Sequence, residues 1–449
     1  MKNLVIAILV IVIAQPALAQ KTNKNKIDEL LVAYQKLNIF NGTALVYQNG
    51  LPVLIKGYGY KNFDAKTFND SNTIFQIASV TKTFTSTLIL KLVQLKKLSL
   101  NDKVDKFYPN FPKGDKITIE NLLTHTSGIY DYTRSDKTHD DSVVTGSVEE
   151  RMMYIFENHE LDFEPGTDWR YSNSGYFILG LIIQKITGMP YEQAVRKFIF
   201  QPLAMKSSGF DFEHLSDKNK SVGYSVYTDS LKSVAPFSDS SAVFAAGAIY
   251  STVEDLYKFH TGLQSYKIIN EFLLNKAYKP FKHNYGFGWI IDTINGKKMV
   301  YHSGNIAGFS SVFMRIPQDN ICIVLLNNKE GTELETVARK MLDILYHRSY
   351  VIPVSKSPID LPDSILKKYI GTYELSNPHL TVEIILSNGT LTAHAINGPS
   401  FDLFAESEEQ FGFMSTPDAE IKFVMDKNGT VTQLILYQND QENIGKKIK

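Results

Sequence analysis

Apolar residues recur at helical spacing near the start of the chain. Ile27, Leu30, Leu31, Tyr34 and Leu37 fall on one side of a helix predicted over 27–37. Two runs of strand character follow, 43–48 and 52–59, joined by Asn49-Gly50, a pair that accepts the positive φ angles of a tight hairpin. A third run, Thr73 to Ile77, leads to Ser79. The pattern after it is mixed. Thr81, Thr83, Thr85 and Thr87 alternate as in a strand. Apolar residues then continue through Leu88, Ile89, Leu90, Leu92, Val93 and Leu95, and a run that long suits a buried helix, predicted over about 79–96.

Residues 101–282 read as loop-rich, with helices near 148–158, 175–187, 190–200 and 252–263. From Tyr285 the period changes to that of an antiparallel meander. Strands are predicted near 285–293 and 298–302 around Asn295-Gly296, and near 308–316 and 321–327 around Pro317-Gln318-Asp319-Asn320. A helix over 333–346 carries Leu334, Val337, Met341 and Ile344 at helical spacing. Pro353, Pro358 and Pro362 mark a linker over 351–363. Beyond it, over 364–449, short strand-like runs broken by Asn388-Gly389, Asn397-Gly398 and Asn428-Gly429 predict a small β domain. The expected class is α+β. The N-terminal hairpin and the 285–350 meander complete one antiparallel sheet, the 27–37 and 333–346 helices cover it, and 101–282 forms a helical insertion. Ser79 then starts a helix where the two parts meet, a natural place for a cleft.

Composition narrows the function. Lys plus Arg and Asp plus Glu are equal at 47 each, and no long basic run occurs, which argues against nucleic acid and a strongly charged membrane face. The single cysteine, Cys322, lies in the apolar run Ile321-Cys322-Ile323-Val324 and reads as a packing residue; one cysteine forms no intramolecular disulfide. The ten histidines are scattered without a metal-ligand pattern, so neither metal nor cofactor is expected. Lys2, the apolar run Leu4 to Ala14 and Ala17-Leu18-Ala19 read as a secretory signal over 1–19. The expectation is an exported, periplasmic or extracellular chain without an integral membrane segment once the signal is removed. An uncleaved anchor is the other reading.

Candidate chemistry begins with Ser79 and Lys82. A serine needs a base to take its proton. A lysine three residues on lies one helical turn away on the same face and serves as that base when a dry site lowers its pKa. The spacing alone is weak, since Ser364 and Lys367 share it. Tyr171 and Asn173 lie between a Pro165-Gly166 turn and an apolar helical run; a phenol can shuttle a proton and an asparagine can both donate to and accept from an amide. The plain alternative is a helix N-cap by Ser172 or Asn173. His302-Ser303-Gly304 is read as the end of the strand Met299-Val300-Tyr301. Small residues there admit a substrate along the strand edge, and the imidazole can hold a carboxylate or proton; an exposed strand-end histidine is the alternative. His125-Thr126-Ser127-Gly128 reads as a helix C-terminus closed by glycine, a structural feature.

Together these segments resemble the serine β-lactamase-like family of class C β-lactamases, D-alanyl-D-alanine carboxypeptidases, D-aminopeptidases and esterases. The resemblance covers roughly 40–345 and includes Phe75 to Lys82, Leu122 to Gly128, Pro165 to Asn173, Gly247 to Asp255, Tyr285 to Trp289 and His302 to Gly308. The stretch from Tyr369-Ile370-Gly371-Thr372-Tyr373 looks like the small C-terminal β domain of some relatives. The resemblance implies a β-lactamase/transpeptidase-like hydrolase domain over 20–350. It also implies Ser79 as acylated nucleophile, and Lys82 and Tyr171 as general base and acid. Asn173 would orient a substrate amide and help fix Lys82. Gly304 belongs to the substrate-binding strand, and the backbone N–H groups of Ser79 and Asn305 would form an oxyanion hole. His302 stands where many relatives have the Lys of Lys-Thr-Gly, which sets efficient β-lactam hydrolysis in question but not acyl-enzyme chemistry.

The expected function is an exported serine hydrolase acting through an acyl-enzyme on an amide or ester, with a D-amino-acid peptide or a β-lactam among the possibilities. A carboxylesterase of the same family is the rival, and a non-catalytic binding protein with the same fold is the alternative from another class. The expected partner is a small-molecule or peptide substrate, and a monomer is expected.

Overall fold

The computed structural model describes residues 21–134, 147–228, 231–354, 358–376, 379–387, 389–396, 400–413, 419–438 and 441–449. The predicted secretory segment therefore lies outside the described residues, as do Asn388, Asn397 and Gly398 of the predicted turns. The chain divides into two compact units at Ser349/Tyr350.

In the first unit, helix α1 spans 21–36, starting earlier than its apolar spacing predicted. Strands β1 (Gly42–Gln48) and β2 (Leu51–Tyr58) form the expected hairpin. Asn49 and Gly50 both take positive φ, 53° and 75°, the twist that matches the flanking strands. Four further strands complete the sheet: β3 (Ile290–Ile294), β4 (Lys297–Ile306), β5 (Phe309–Ile316) and β6 (Ile321–Asn327). The antiparallel order is β2–β1–β6–β5–β4–β3. β6 pairs with β1, Val46 opposite Ile323, so the two ends of the unit close one sheet around everything between. All residues of β5 and β6 are buried, which explains why those runs read as apolar without alternation.

Helices cover both faces. Asp28 of α1 accepts hydrogen bonds from Lys56 and Tyr58 of β2 at 2.7 Å each. The helix Leu334–Leu345 packs on β5 and β6. Across the sheet, the helix Val253–Gln264 packs on β1 and β6, and its Phe259 stacks on Phe84 of helix α2 (Thr81–Gln94) with centroids 3.9 Å apart. Helix α3 (Asn173–Thr187) is the central member of the insertion and is buried from Ser174 to Ile183.

Three strand predictions change. The run predicted over 285–293 is a strand only from Ile290. Tyr285 to Trp289 instead makes a tight turn, with the Gly286 N–H donating to the Trp289 carbonyl at 2.7 Å. At Gly288, φ +75°, a Cβ would stand 2.7 Å from the Lys82 carbonyl, so glycine there lets the turn touch α2. The strand predicted to stop at His302 continues to Ile306, with Gly304 opposite Ser311; its small residues mark a close approach rather than an end. Of Thr73 to Ile77 only Phe75–Gln76 is strand, paired with Tyr250–Ser251 outside the main sheet.

The second unit begins at Tyr350 and so includes the predicted linker, whose last residue, Asp363, opens a short helix, Asp363–Leu366. Among the described residues, eight strands from Gly371 to Lys447 close into an antiparallel barrel. The closing pair sets Tyr373 opposite Lys447. Tyr369, Tyr373, Phe411 and Phe423 meet in its interior. Alternating runs predicted the strands; closure, which removes the exposed edges, follows from the pairing of first strand with last.

Candidate active site

Ser79 sits in a single 3-10 turn, Ala78–Val80, that runs straight into α2. The turn is strained: Ala78 has φ 47°, a region that a residue with a Cβ adopts at a cost. β4 lies against this turn. A Cβ on Gly304 would stand 2.4 Å from the Ile77 carbonyl oxygen and 2.6 Å from Ser311 Oγ. Ser311 Oγ itself donates to the Ile77 carbonyl at 2.7 Å. Gly304 is thus required for the strand to reach the serine turn.

Lys82 follows on the first turn of α2 with no exposed surface. Its Nζ lies 3.0 Å from Ser79 Oγ, 2.9 Å from Asn173 Oδ1 and 2.9 Å from the Ala246 carbonyl. The last acceptor is available because Ala246 lies in the final turn of the helix Ser240–Gly247, where carbonyls have no intrahelical donor. Burial lowers the Lys82 pKa to about 7, with the Asp131 carboxylate acting weakly the other way. Two of the contacts are to carbonyls, which can only accept. A neutral amine that donates to both keeps its lone pair for the Ser79 hydroxyl.

Asn173 opens α3, and Ser172 caps that helix by accepting the Gly175 N–H. The plain reading of this segment, an N-cap, therefore holds for Ser172, while Asn173 reaches Lys82. Asp131 sets the orientation: its Oδ2 accepts the Asn173 backbone N–H at 3.1 Å and Nδ2 at 3.2 Å. That leaves Oδ1 for the amine. Tyr171 is half-buried; desolvation raises the pKa of its phenol, and the Ser79 hydroxyl that it faces acts in the opposite sense.

His302 is buried in mid-strand rather than exposed at a strand end. Its Nδ1 donates to the Ser303 carbonyl at 2.6 Å, and its Nε2 accepts the Tyr285 hydroxyl at 2.9 Å. Both nitrogens are used, and burial together with the nearby Lys82 lowers its pKa to about 3. The expectation that this imidazole holds a substrate carboxylate is revised accordingly: the ring is neutral and occupied. The Asn305 side chain accepts from Ser310 Oγ at 2.7 Å and the Gly331 N–H at 3.2 Å.

Ser79, Tyr171, Asn173, His302, Gly304 and Asn305 line one cavity of about 440 Å³, with Lys82 behind Ser79. Residues more than 200 positions apart thus converge on it. A family model described as Beta-lactamase matches residues 27–347.

The chain belongs to the beta-lactamase family. It is 28% identical to a penicillin-binding protein of Bacillus subtilis (strain 168), over 94% of this chain and 98% of that relative. Among solved structures, the octameric penicillin-binding protein homologue from Pyrococcus abyssi superposes with a TM-score of 0.66 at 26% identity, covering 94% of this chain and 99% of that one. A D-stereospecific amidohydrolase from Streptomyces sp. gives a TM-score of 0.59 at 25% identity, covering 70% and 98%. Family membership makes this a serine β-lactamase/transpeptidase-like hydrolase fold. A second family model, a domain of unknown function (DUF3471), matches residues 355–447.

The site also has participants to which the residue patterns gave no chemical role. Asp131 and the Ala246 carbonyl are two, and neither carries a local signal. His125 is the third. It takes the left-handed position after the helix Ile119–Leu123, φ 59°, where glycine was expected to close the helix; Gly128 makes a separate turn. The His125 ring packs on Tyr171, centroids 4.3 Å apart, and on Tyr285 at 4.5 Å. Its Nδ1 accepts the Ser172 N–H at 3.1 Å, and its buried Nε2 has no partner among the described residues. No group of three or more His, Cys, Asp or Glu among the described residues is placed to hold a metal ion, and no described helix is long and apolar enough to cross a membrane.

Proposed function

We propose that this chain is an exported serine hydrolase that forms an acyl-enzyme on Ser79 with an amide or ester substrate. The observation that carries the reading is the buried Lys82 amine, near neutrality and 3.0 Å from Ser79 Oγ. In the proposed cycle Ser79 Oγ attacks the substrate carbonyl carbon and its proton passes to Lys82 Nζ. The tetrahedral oxyanion is met by the backbone N–H groups of Ser79 and Asn305, donors that cost no reorganisation when charge develops. The proton moves through the Tyr171 phenol to the leaving amine or alkoxide, that bond breaks, and water then cleaves the Ser79 ester by the same route reversed. Asn173 holds Lys82 through Oδ1, while its Nδ2 donates to Asp131 Oδ2 and Thr133 Oγ1 and fixes the amide in that orientation. Export rests on the N-terminal segment alone.

A carboxylesterase is the second reading, and one observation favours it. No described residue lining the cavity is Lys or Arg, and His302 is neutral. A substrate carboxylate would find no cation there, whereas an uncharged ester or amide needs none. The test is hydrolysis of a short-chain p-nitrophenyl ester by mature protein and by folded Ser79→Ala. Loss of turnover in the variant supports acylation at Ser79. Equal rates reject it.

A further inference from the structure

Asn305 lines the same cavity as Ser79, and strand register decides where its backbone N–H points. Ala307 and Gly308 make a two-residue turn between β4 and β5, so the pair that flanks it, Ile306 and Phe309, is a hydrogen-bonded one. Hydrogen-bonded and open pairs alternate along an antiparallel ladder, which makes the next pair, Asn305 and Ser310, an open one. The Asn305 N–H therefore points away from β5, toward the side of β4 on which β3 lies. The pairing of β3 has already ended there, with Ile290 opposite Tyr301. Among the described residues no strand of the sheet pairs with that stretch of edge, so β3 does not hold this N–H in place.

The end of β4 is fastened from its other side. Side chains of an open pair stand close together, and Ser310 Oγ donates to Asn305 Oδ1 at 2.7 Å. The same Oδ1 accepts the Gly331 N–H at 3.2 Å. Ser310 is buried and is itself gripped by the segment after β6: its Oγ accepts the Thr332 N–H at 3.1 Å and lies 2.8 Å from the Lys329 carbonyl, which shares its proton. Glu330 belongs to that segment, and its Oε2 accepts the N–H of Gly308 in the turn at 2.7 Å. The segment is anchored in turn, since Lys329 Nζ donates to the Asn38 carbonyl at 2.8 Å and the Glu330 N–H to the Tyr224 carbonyl at 3.1 Å. Ser310 and Glu330 lie outside the described lining of the cavity.

We infer that Ser310 and Glu330 are positioning residues, which fix from behind β4 the Asn305 N–H that meets the oxyanion formed on Ser79. The inference deepens the hydrolase reading and rests on it. An oxyanion donor acts only when it is already aimed at the place where charge develops. A strand end with one open edge supplies no such aim by itself; here the hydrogen bonds to Asn305 Oδ1 and to the turn supply it. Neither residue touches substrate, so the loss of either is felt in the transition state more than in substrate binding.

The test is steady-state hydrolysis of a short-chain p-nitrophenyl ester by the full mature chain and by two pairs of variants, with Ser79→Ala as reference. Glu330→Ala removes the acceptor of the Gly308 N–H and Glu330→Gln keeps one. Ser310→Val removes the hydroxyl and Ser310→Thr keeps it at the same size. In Glu330→Ala and Ser310→Val kcat is expected to fall about tenfold or more, with KM within about threefold of wild type. Glu330→Gln and Ser310→Thr should retain most of kcat. Equal kcat within each pair, or losses confined to KM, overturns the positioning role. Glu330 is half-buried in a loop, so its pair decides the matter even should the Ser310 variants fail to fold. A wild type no faster than Ser79→Ala rejects the hydrolase reading, and the positioning role falls with it. A wild type that depends on Ser79 while the paired variants behave alike overturns the positioning role alone.

Discussion

His125 holds Tyr171 from both sides. Its carbonyl accepts the Arg170 N–H at 3.0 Å, its ring Nδ1 accepts the Ser172 N–H at 3.1 Å, and the two rings lie 4.3 Å apart. The residues before and after the phenol are thus fixed to one imidazole, which must be neutral to accept through Nδ1. Burial, then Lys82 and His302, hold its pKa well below the usual histidine value. His125→Ala is expected to lower kcat about 100-fold, since a shift of about 1 Å at a reacting group costs that much. Asn, which tolerates the left-handed backbone and offers Oδ1 near the place of Nδ1, should recover part of it. Gln should not. Steady-state kinetics of the three variants, read as kcat against KM, checks this. Equal losses in Asn and Gln would mean that His125 only fills space.

The buried Lys82 ties stability to pH. Its pKa falls from 10.5 to about 7 on folding, so between those values the unfolded chain binds the extra proton. Stability contributed at this position therefore rises with pH through that window. Below about pH 7 both states are charged and the full penalty applies, at about 1.4 kcal/mol per pKa unit. Urea unfolding of wild type and Lys82→Met at pH 6, 8 and 10 should show the wild type gaining on the variant at each step. A difference independent of pH would mean that Lys82 is charged in the folded site.

Asp131 acts on Lys82 in two ways that one variant separates. It orients Asn173, and its charge raises the Lys82 pKa. Asp131→Asn should lower kcat about 10- to 100-fold while moving the acid limb of the kcat/KM profile to lower pH, because the amine then loses its proton more readily. An acid limb that stays in place, or moves to higher pH, would assign that limb to another group.

Gly304 is where β4 meets the Ser79 turn. Ala there brings a Cβ to 2.4 Å from the Ile77 carbonyl, which forces strand and turn apart. Overpacking of this kind costs about 1–3 kcal/mol, and the cavity widens between Ser79 and Asn305. Gly304→Ala should therefore lose activity far beyond its loss of stability, with acylation slowed about 100-fold or more. Single-turnover kinetics alongside thermal unfolding tests the pairing. Full activity would place the oxyanion contacts elsewhere.

Short-range physics made much of this chain legible from residues alone. Asn49-Gly50 specifies a hairpin because few other pairs accept two positive φ angles. The apolar run after Ser79 specifies a buried helix, and a serine and lysine three apart on a helix necessarily share a face. The resemblance brought Tyr171, Asn173 and His302 into one expected site, and the cavity gathers them. What the residues did not reveal depends on contacts between distant segments. His125 reads as a helix end because its partners, Arg170 and Ser172, lie more than forty positions on. Asp131 sits in a loop with no pattern and matters only because Asn173 arrives there. His302 looks like a terminal imidazole until Tyr285 and the Ser303 carbonyl occupy its two nitrogens. Gly304 looks like a strand end until the serine turn packs against it. The barrel closes because its first and last strands pair, which no local period encodes. Backbone preference and side-chain period act within a few residues and are written in the sequence. Hydrogen bonding, desolvation and close approach across the sheet exist only once the chain has brought those residues together.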